Sequence, residues 1–197
     1  MAPCVGLENC VVSENCVVSE NWEGARMNGR GERAAEDPEL APRYAPEISL
    51  PEVAYLPGRT PRPLEADPAH ERHPDPLGSP TFVRHFRYGI DLFNHGFFWE
   101  CHEAWEALWL PLTPGDPIRE QLQGLIQAAA ALLKLQLDSP GPATSIWERG
   151  RARLAAVALE APEGISLAVP LPMVIQAMDR AVASGRFPAI PPRIILR

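Results

Sequence analysis

Lysine is nearly missing from this chain: of its 18 basic residues only Lys134 is not arginine. Together with 23 prolines and abundant alanine, that bias points to a GC-rich, bacterial genome and says little about chemistry. Long hydrophobic runs are also missing. The longest, Ala128 to Leu133, is far below the roughly 20 residues that span a bilayer, so no membrane association is expected. "MAPCVGLENC" lacks a basic start followed by a long apolar run, which leaves no secretory signal to read. Cysteine is sparse, and Cys4, Cys10, Cys16 and Cys101 form neither a CxxC pair nor a zinc-finger spacing. A reduced, cytoplasmic protein is expected. An excess of positive charge is absent too. Residues 81–197 carry 11 acidic and 11 basic side chains, so the whole net charge of −7 lies in residues 1–80. A neutral domain offers no electrostatic footprint for nucleic acid, and none is expected as a partner.

What is present divides the chain in two. Residues 1–80 read as a disordered or extended, proline-rich leader, and residues 81–197 as one helical domain. "ENCVVS" occurs twice, at Glu8 to Ser13 and Glu14 to Ser19; two copies are too few for a solenoid. "LPGRTPRPLEADP" (Leu56 to Pro68) cannot continue a helix or a central strand. Within "EISLPEVAYLPG", however, Ile48, Leu50, Val53, Tyr55 and Leu56 are suited to strap the segment onto the domain. From Thr81 the period becomes helical. Helices are predicted over about 81–94, 97–110, 117–137, 144–159 and 171–184. Gly96 is placed as a left-handed stop, Asp116 as an N-cap and Pro117 as a first helical position. "DSPGP" separates the third helix from the fourth, and the tail "FPAIPPRIILR" reads as extended. No strand alternation is present. The class is all-α, a compact bundle of about five helices.

One helix looks chemical. "FNHGFFWECHEAWEALW", Phe93 to Trp109, sets Glu100, His102, Glu103 and Glu106 among Phe and Trp. On a helical wheel Phe98, His102, Glu106 and Trp109 share a stripe, with Glu103 beside it. Buried carboxylates need partners. The third helix offers Arg119, Gln123 and Gln127 at successive turns, and its short connection implies antiparallel packing. The expected pocket therefore comprises His102, Glu103, Glu106, Gln123, Gln127 and Asn94. Three readings stand side by side. The polar groups satisfy one another and fix helix register. His102 and Glu106, with Glu103 or another group, ligate a divalent metal such as Zn, Mn or Fe. Or the pocket holds a small polar ligand without metal, Glu103 or Glu106 acting as a base. "HEAWE" differs from the zincin HExxH at its last position, so no protease is inferred. Elsewhere His70 and His73 read as solvated, His85 as a core histidine, His95 as exposed and Cys101 as packed. Arg149, Arg151 and Arg153 read as surface charges with paired partners.

"GIDLFNHGFFWECHEAWEALW" followed by "QLQGLIQAAAALLK" resembles the domain-of-unknown-function family 309, small all-helical proteins. The matching positions are Phe93, Asn94, Gly96, Phe98, Glu100, His102, Glu103, Glu106 and Trp109, then Gln123, Gly124 and Gln127, within a span of about Arg84 to Leu159. "YLPGRTPRP" is similar to a leader of some members, which usually have His where Arg62 stands. Many members carry His near the end of the Gln-bearing helix, where this chain has Leu133 and Lys134. The resemblance implies an all-helical fold and no established activity. The alternative to a ligand-binding protein is a non-enzymatic helical interaction module, in which the polar cluster is structural and a helix pair offers a groove to a protein partner. No second copy of the pair is found, so an extended repeat array is not expected.

Overall fold

Local capping signals decide where most of the helices begin. The structure, a computed structural model, describes residues 41–62, 76–160 and 167–196. Among the described residues there are five helices and no strand: α1 (Pro80–Asn94), α2 (Phe98–Trp109), α3 (Pro117–Gln136), α4 (Pro140–Glu160) and α5 (Leu171–Ala183). The Ser79 hydroxyl accepts the Phe82 N–H at 3.1 Å, and Pro80 fills the first helical position, where a missing N–H loses no bond. Gly96, at φ 83°, turns the chain from α1 into α2. Asp116 caps α3 by accepting the Ile118 N–H at 2.7 Å. The "ENCVVS" repeat, the first three cysteines, His70 and His73 lie outside the described residues.

One boundary departs from expectation. α4 starts at Pro140, four residues before the predicted Thr144. The prolines of "DSPGP" do not extend the break, because both fall in the first turn of α4, where backbone N–H groups have no helical partner to lose. The Ala143 N–H already bonds to Ser139 O at 3.2 Å. The break itself is short, and Asp138 makes it with a left-handed backbone, φ 55°.

Each helix packs on the next, and α3 has the most neighbours, touching α2, α4 and α5. Small residues make this possible. A Cβ on Gly124 would lie 2.5 Å from Leu154 Cδ2, and one on Gly150 would lie 2.9 Å from Gln127 Cβ and 3.1 Å from Gly124 O. α3 and α4 therefore cross almost backbone to backbone. Between α1 and α2 the same device is Gly89, which lies under the fully buried Trp105. The Trp105 indole donates to Phe86 O at 3.2 Å and stacks on Phe86 and Phe93 with centroids 6.0 and 6.1 Å away.

Irregular chain covers these helices. Residues 41–62 form a strap whose backbone finds its partners on helix side chains, as extended chain without a sheet must. Asp91 of α1, fully buried, accepts from Arg43 Nε at 2.9 Å, Tyr44 N at 2.7 Å and Ala45 N at 2.9 Å. Glu100 of α2, also fully buried, accepts from Tyr55 N at 2.6 Å. Arg59 reaches the end of α3, donating to Gln136 O and to Asp138. The C-terminal tail is held by Asn94, whose amide both donates to and accepts from the main chain of Ile194, and by the Tyr44 hydroxyl, which accepts from Leu196 N.

Two outcomes follow from this packing. Gly89→Ala would force a methyl into the Trp105 ring and is expected to lower the unfolding free energy by about 2–4 kcal/mol in urea denaturation. Stability equal to wild type would mean that the α1–α2 contact is loose. Asp91→Ala removes one acceptor from three donors at once and is expected to cost about 3 kcal/mol, more than Arg43→Ala, which leaves both backbone donors satisfied.

Candidate metal centre

α2 is short and its sides differ sharply. Trp105, Phe98, Cys101 and Leu108 face the core and are fully buried or nearly so. His102, Glu103 and Glu106 lie beside that face. His102 is only 6 % exposed, while Glu103 and Glu106, one on either side of the wheel from Trp99, are half-buried. One ligand atom from each of His102, Glu103 and Glu106 falls within 4.8 Å of the other two. His102 is held by its Nδ1, which lies 3.1 Å from Glu103 Oε1. Its Nε2 is buried and has no hydrogen-bond partner in the protein. If Nδ1 carries the proton and donates it to Glu103, the neutral ring leaves Nε2 as a buried lone pair without a partner.

Electrostatics favour a proton on this ring when nothing else is bound. Burial, the largest influence, disfavours the imidazolium. The hydrogen bond to Glu103 and the charges of Glu106 and Glu103 together outweigh it and raise the pKa above the ordinary 6.5. The neighbouring Cys101 thiol is pushed well up, first by burial and then by the Glu100 charge, so it is packed and unreactive.

The other residues named from the sequence fall in several places. Gln123 and Gln127 are buried on α3, the helix packed against α2. Gln127 also stands at the α3–α4 crossing beside Gly150, and its Oε1 has no hydrogen-bond partner. Asn94 is buried, but its amide is taken up at both ends by Ile194. Arg119 does not pair with the cluster; its guanidinium lies over the Trp109 ring, 4.0 Å from the centroid. That contact joins the end of α2 to the start of α3, as an antiparallel hairpin requires. Arg151 pairs with Asp179 and Arg153 with Glu120, in keeping with paired surface charges. His85 is buried at 8 % exposure. His95 is half-buried rather than exposed, because its Nδ1 lies 2.7 Å from Asp91 O at the end of α1.

Sequence reasoning missed the roles of Asp91 and of Glu100 as receptors for the strap. A signal was available for Asp91, a lone acid in the apolar run "YGIDLF", since such a residue has to be paired if the run is buried.

With this geometry in place, comparison with known proteins adds one finding. The family model described as Domain of unknown function (DUF309) matches residues 86–146. The matched span takes in most of α1, all of α2 and α3 and the start of α4, and so includes His102, Glu103 and Glu106. No curated protein and no solved structure matches the chain.

The raised His102 pKa has a consequence for metal-free protein. A histidine that holds its proton more tightly folded than unfolded adds stability that is complete below about pH 6.5 and is lost as pH rises through the native pKa. The stability gap between wild type and His102→Gln is therefore expected to narrow as pH rises above about 6.5. A gap that stays constant across that range would show that His102 does not titrate in the folded state.

Proposed function

We propose that this chain, whose residues 86–146 match the DUF309 family model, is a metal-binding helical protein in which His102, Glu103 and Glu106 hold a divalent transition ion such as Zn, Mn or Fe(II). The reading is carried by the convergence of one ligand atom each from His102, Glu103 and Glu106 within 4.8 Å, beside a buried His102 Nε2 that has no hydrogen-bond partner. An orphaned buried polar atom is expensive unless something occupies it. One neutral imidazole and two carboxylates also supply a charge of −2, which a divalent cation neutralises.

The distances suit this reading with a small adjustment. Ligand atoms around a tetrahedral zinc with bonds of about 2.0–2.2 Å lie about 3.4 Å apart. The separations here reach at most 4.8 Å, and the two glutamates are only half-buried, so side-chain rotation can close the difference. Binding by all three side chains would exchange the His102 Nδ1–Glu103 hydrogen bond for bonds to the ion. The ion would displace a proton from His102, so affinity should rise with pH up to the native pKa. Three protein ligands leave a position for water or a small ligand. A reaction at that position is not part of the proposal. A reduced, cytoplasmic location belongs to the same reading, supported by the single buried free thiol among the described residues.

A second reading is favoured by one observation, the hydrogen bond between His102 and Glu103 with its raised pKa. On that reading a protonated His102 between two carboxylates sets the register of α2, and the helix pair serves as an interaction module.

Glu106→Gln separates the two. With a metal site, Zn, Mn or Fe(II) at about 100 times its Kd raises the stability of wild type by about 2.7 kcal/mol, and the variant loses the effect. His102→Ala combined with Glu106→Gln then removes no more metal than either change alone, since both serve one ion. With a register device, no ion stabilises wild type, and the variant loses some stability at neutral pH because one of the charges that favour the His102 proton is gone. Wild-type protein whose Tm ignores all three ions would overturn the metal reading.

A further inference from the structure

The tail after α5 is seated on the domain as a bound peptide is. Among the described residues, 187–196 make no backbone-to-backbone hydrogen bond, so side chains hold the segment. The Asn94 amide donates to Ile194 O at 2.8 Å and accepts the Ile194 N–H at 2.7 Å. Two residues on, Leu196 N donates to the Tyr44 hydroxyl at 3.0 Å. Pro192 and Ile194 are buried and Leu196 is half-buried, whereas Ile195 is exposed. Alternate side chains inward, with main-chain groups bonded by the receiving surface, is the pattern of an extended peptide in a groove. Asn94 and Tyr44 read only backbone, and Ile194 supplies the side-chain anchor. The same segment of another copy would meet the same contacts.

The link from α5 to this segment is short and stiff. Phe187 meets Phe98 of α2 with centroids 5.9 Å apart, and Pro188 to Pro191 cross from there to the seated residues. Ile190 and Pro191 each precede a proline, which biases both toward extended backbone. The chain nevertheless bends at Ala189 and Ile190 to bring its own tail home, and Ile190 is 80 % exposed at that bend. Short links favour exchange of a chain end between copies. In a two-fold exchange the two links run side by side, which gives each Ile190 an apolar neighbour.

We propose that the strap and α1 form a peptide groove, lined by Asn94 and Tyr44, whose partner is the 192–196 segment of a second copy of this chain. In dilute protein the groove holds its own tail. Near the millimolar effective concentration that a short link sets, the tails exchange and a closed two-fold dimer forms. None of this depends on the metal reading.

The test uses the full chain. Sedimentation velocity is expected to show a dimer share at least about tenfold larger at about 1 mM than at about 10 μM. Ile194→Asp, which unseats the tail, should abolish that dimer. A fluorescent peptide of residues 191–196 should then bind Ile194→Asp about tenfold or more tightly than wild type, whose own tail competes. The same peptide carrying Ile194→Asp should not bind. Wild type that stays monomeric at the higher concentration, or a dimer that persists in Ile194→Asp as an ordinary surface contact, would overturn the exchange. No peptide binding to an Ile194→Asp chain of wild-type helix content would overturn the groove. If that variant loses its helix content, the wild-type dimer is tested instead with Ile194→Ala, which should lower its share. Peptide binding without a dimer would leave a groove for a segment of another protein, and the second copy would fall as its partner.

Discussion

A carboxylate removed from water must find donors, and much of this architecture answers that requirement on two adjacent helices. Asp91 and Glu100 are fully enclosed, and both take donors from outside the helices. The strap supplies the Arg43 guanidinium and the backbone N–H groups of Tyr44 and Ala45 to Asp91, and the Tyr55 N–H to Glu100. The exchange works in both directions. The strap has no sheet or helix of its own to satisfy its backbone, and the carboxylates have no other way to remain charged at low cost. An otherwise irregular, proline-rich segment is thereby specified by the helices it crosses.

Glu103 and Glu106 solve the same problem differently. They stay half-buried at the margin of α2 and gather around His102, while the aromatic residues of the helix turn to the core and to α3. The high density of Phe and Trp around charge is thus not a contradiction. Trp105 supplies the core contact with α1, Trp109 receives Arg119, and Trp99 meets the strap. Of the three, Trp109 alone pairs with a charge; Trp105 belongs to the core and Trp99 to the strap contact.

The all-α class, the helix count, the stop at Gly96 and the N-cap at Asp116 were legible because they rest on local chemistry: period, caps and φ preferences. The start of α4 was not, since Pro140 and Pro142 read as breakers although their position in a first turn makes them tolerable. The grouping of His102, Glu103 and Glu106 was readable for the same local reason, being set by spacing within one helix. What depended on long-range contact was harder. Asn94 stands next to the α1–α2 turn and reads as a pocket residue, yet its partner is Ile194, 100 positions away. Arg119 reads as a counter-charge for the glutamates, yet it stacks on Trp109. Nothing in periodicity tells which of several nearby acceptors a long side chain will choose.

The helices connect only to their successors through short links, so their contacts are local, whereas the segments that enclose them are not. Arg43 and Asp91 are separated by 48 positions, and Tyr44 and Leu196 by 152. Rates of assembly fall as the sequence distance between partners grows. The α1–α4 hairpins can thus form early, with the buried acids still open to water, and the two chain ends close over them afterwards. Tyr44, which binds Asp91 through its backbone and Leu196 through its hydroxyl, is where those two late closures meet. The tail can dock on Asn94 of α1 alone, but its outermost contact, from Leu196 to the Tyr44 hydroxyl, waits until the strap is in place.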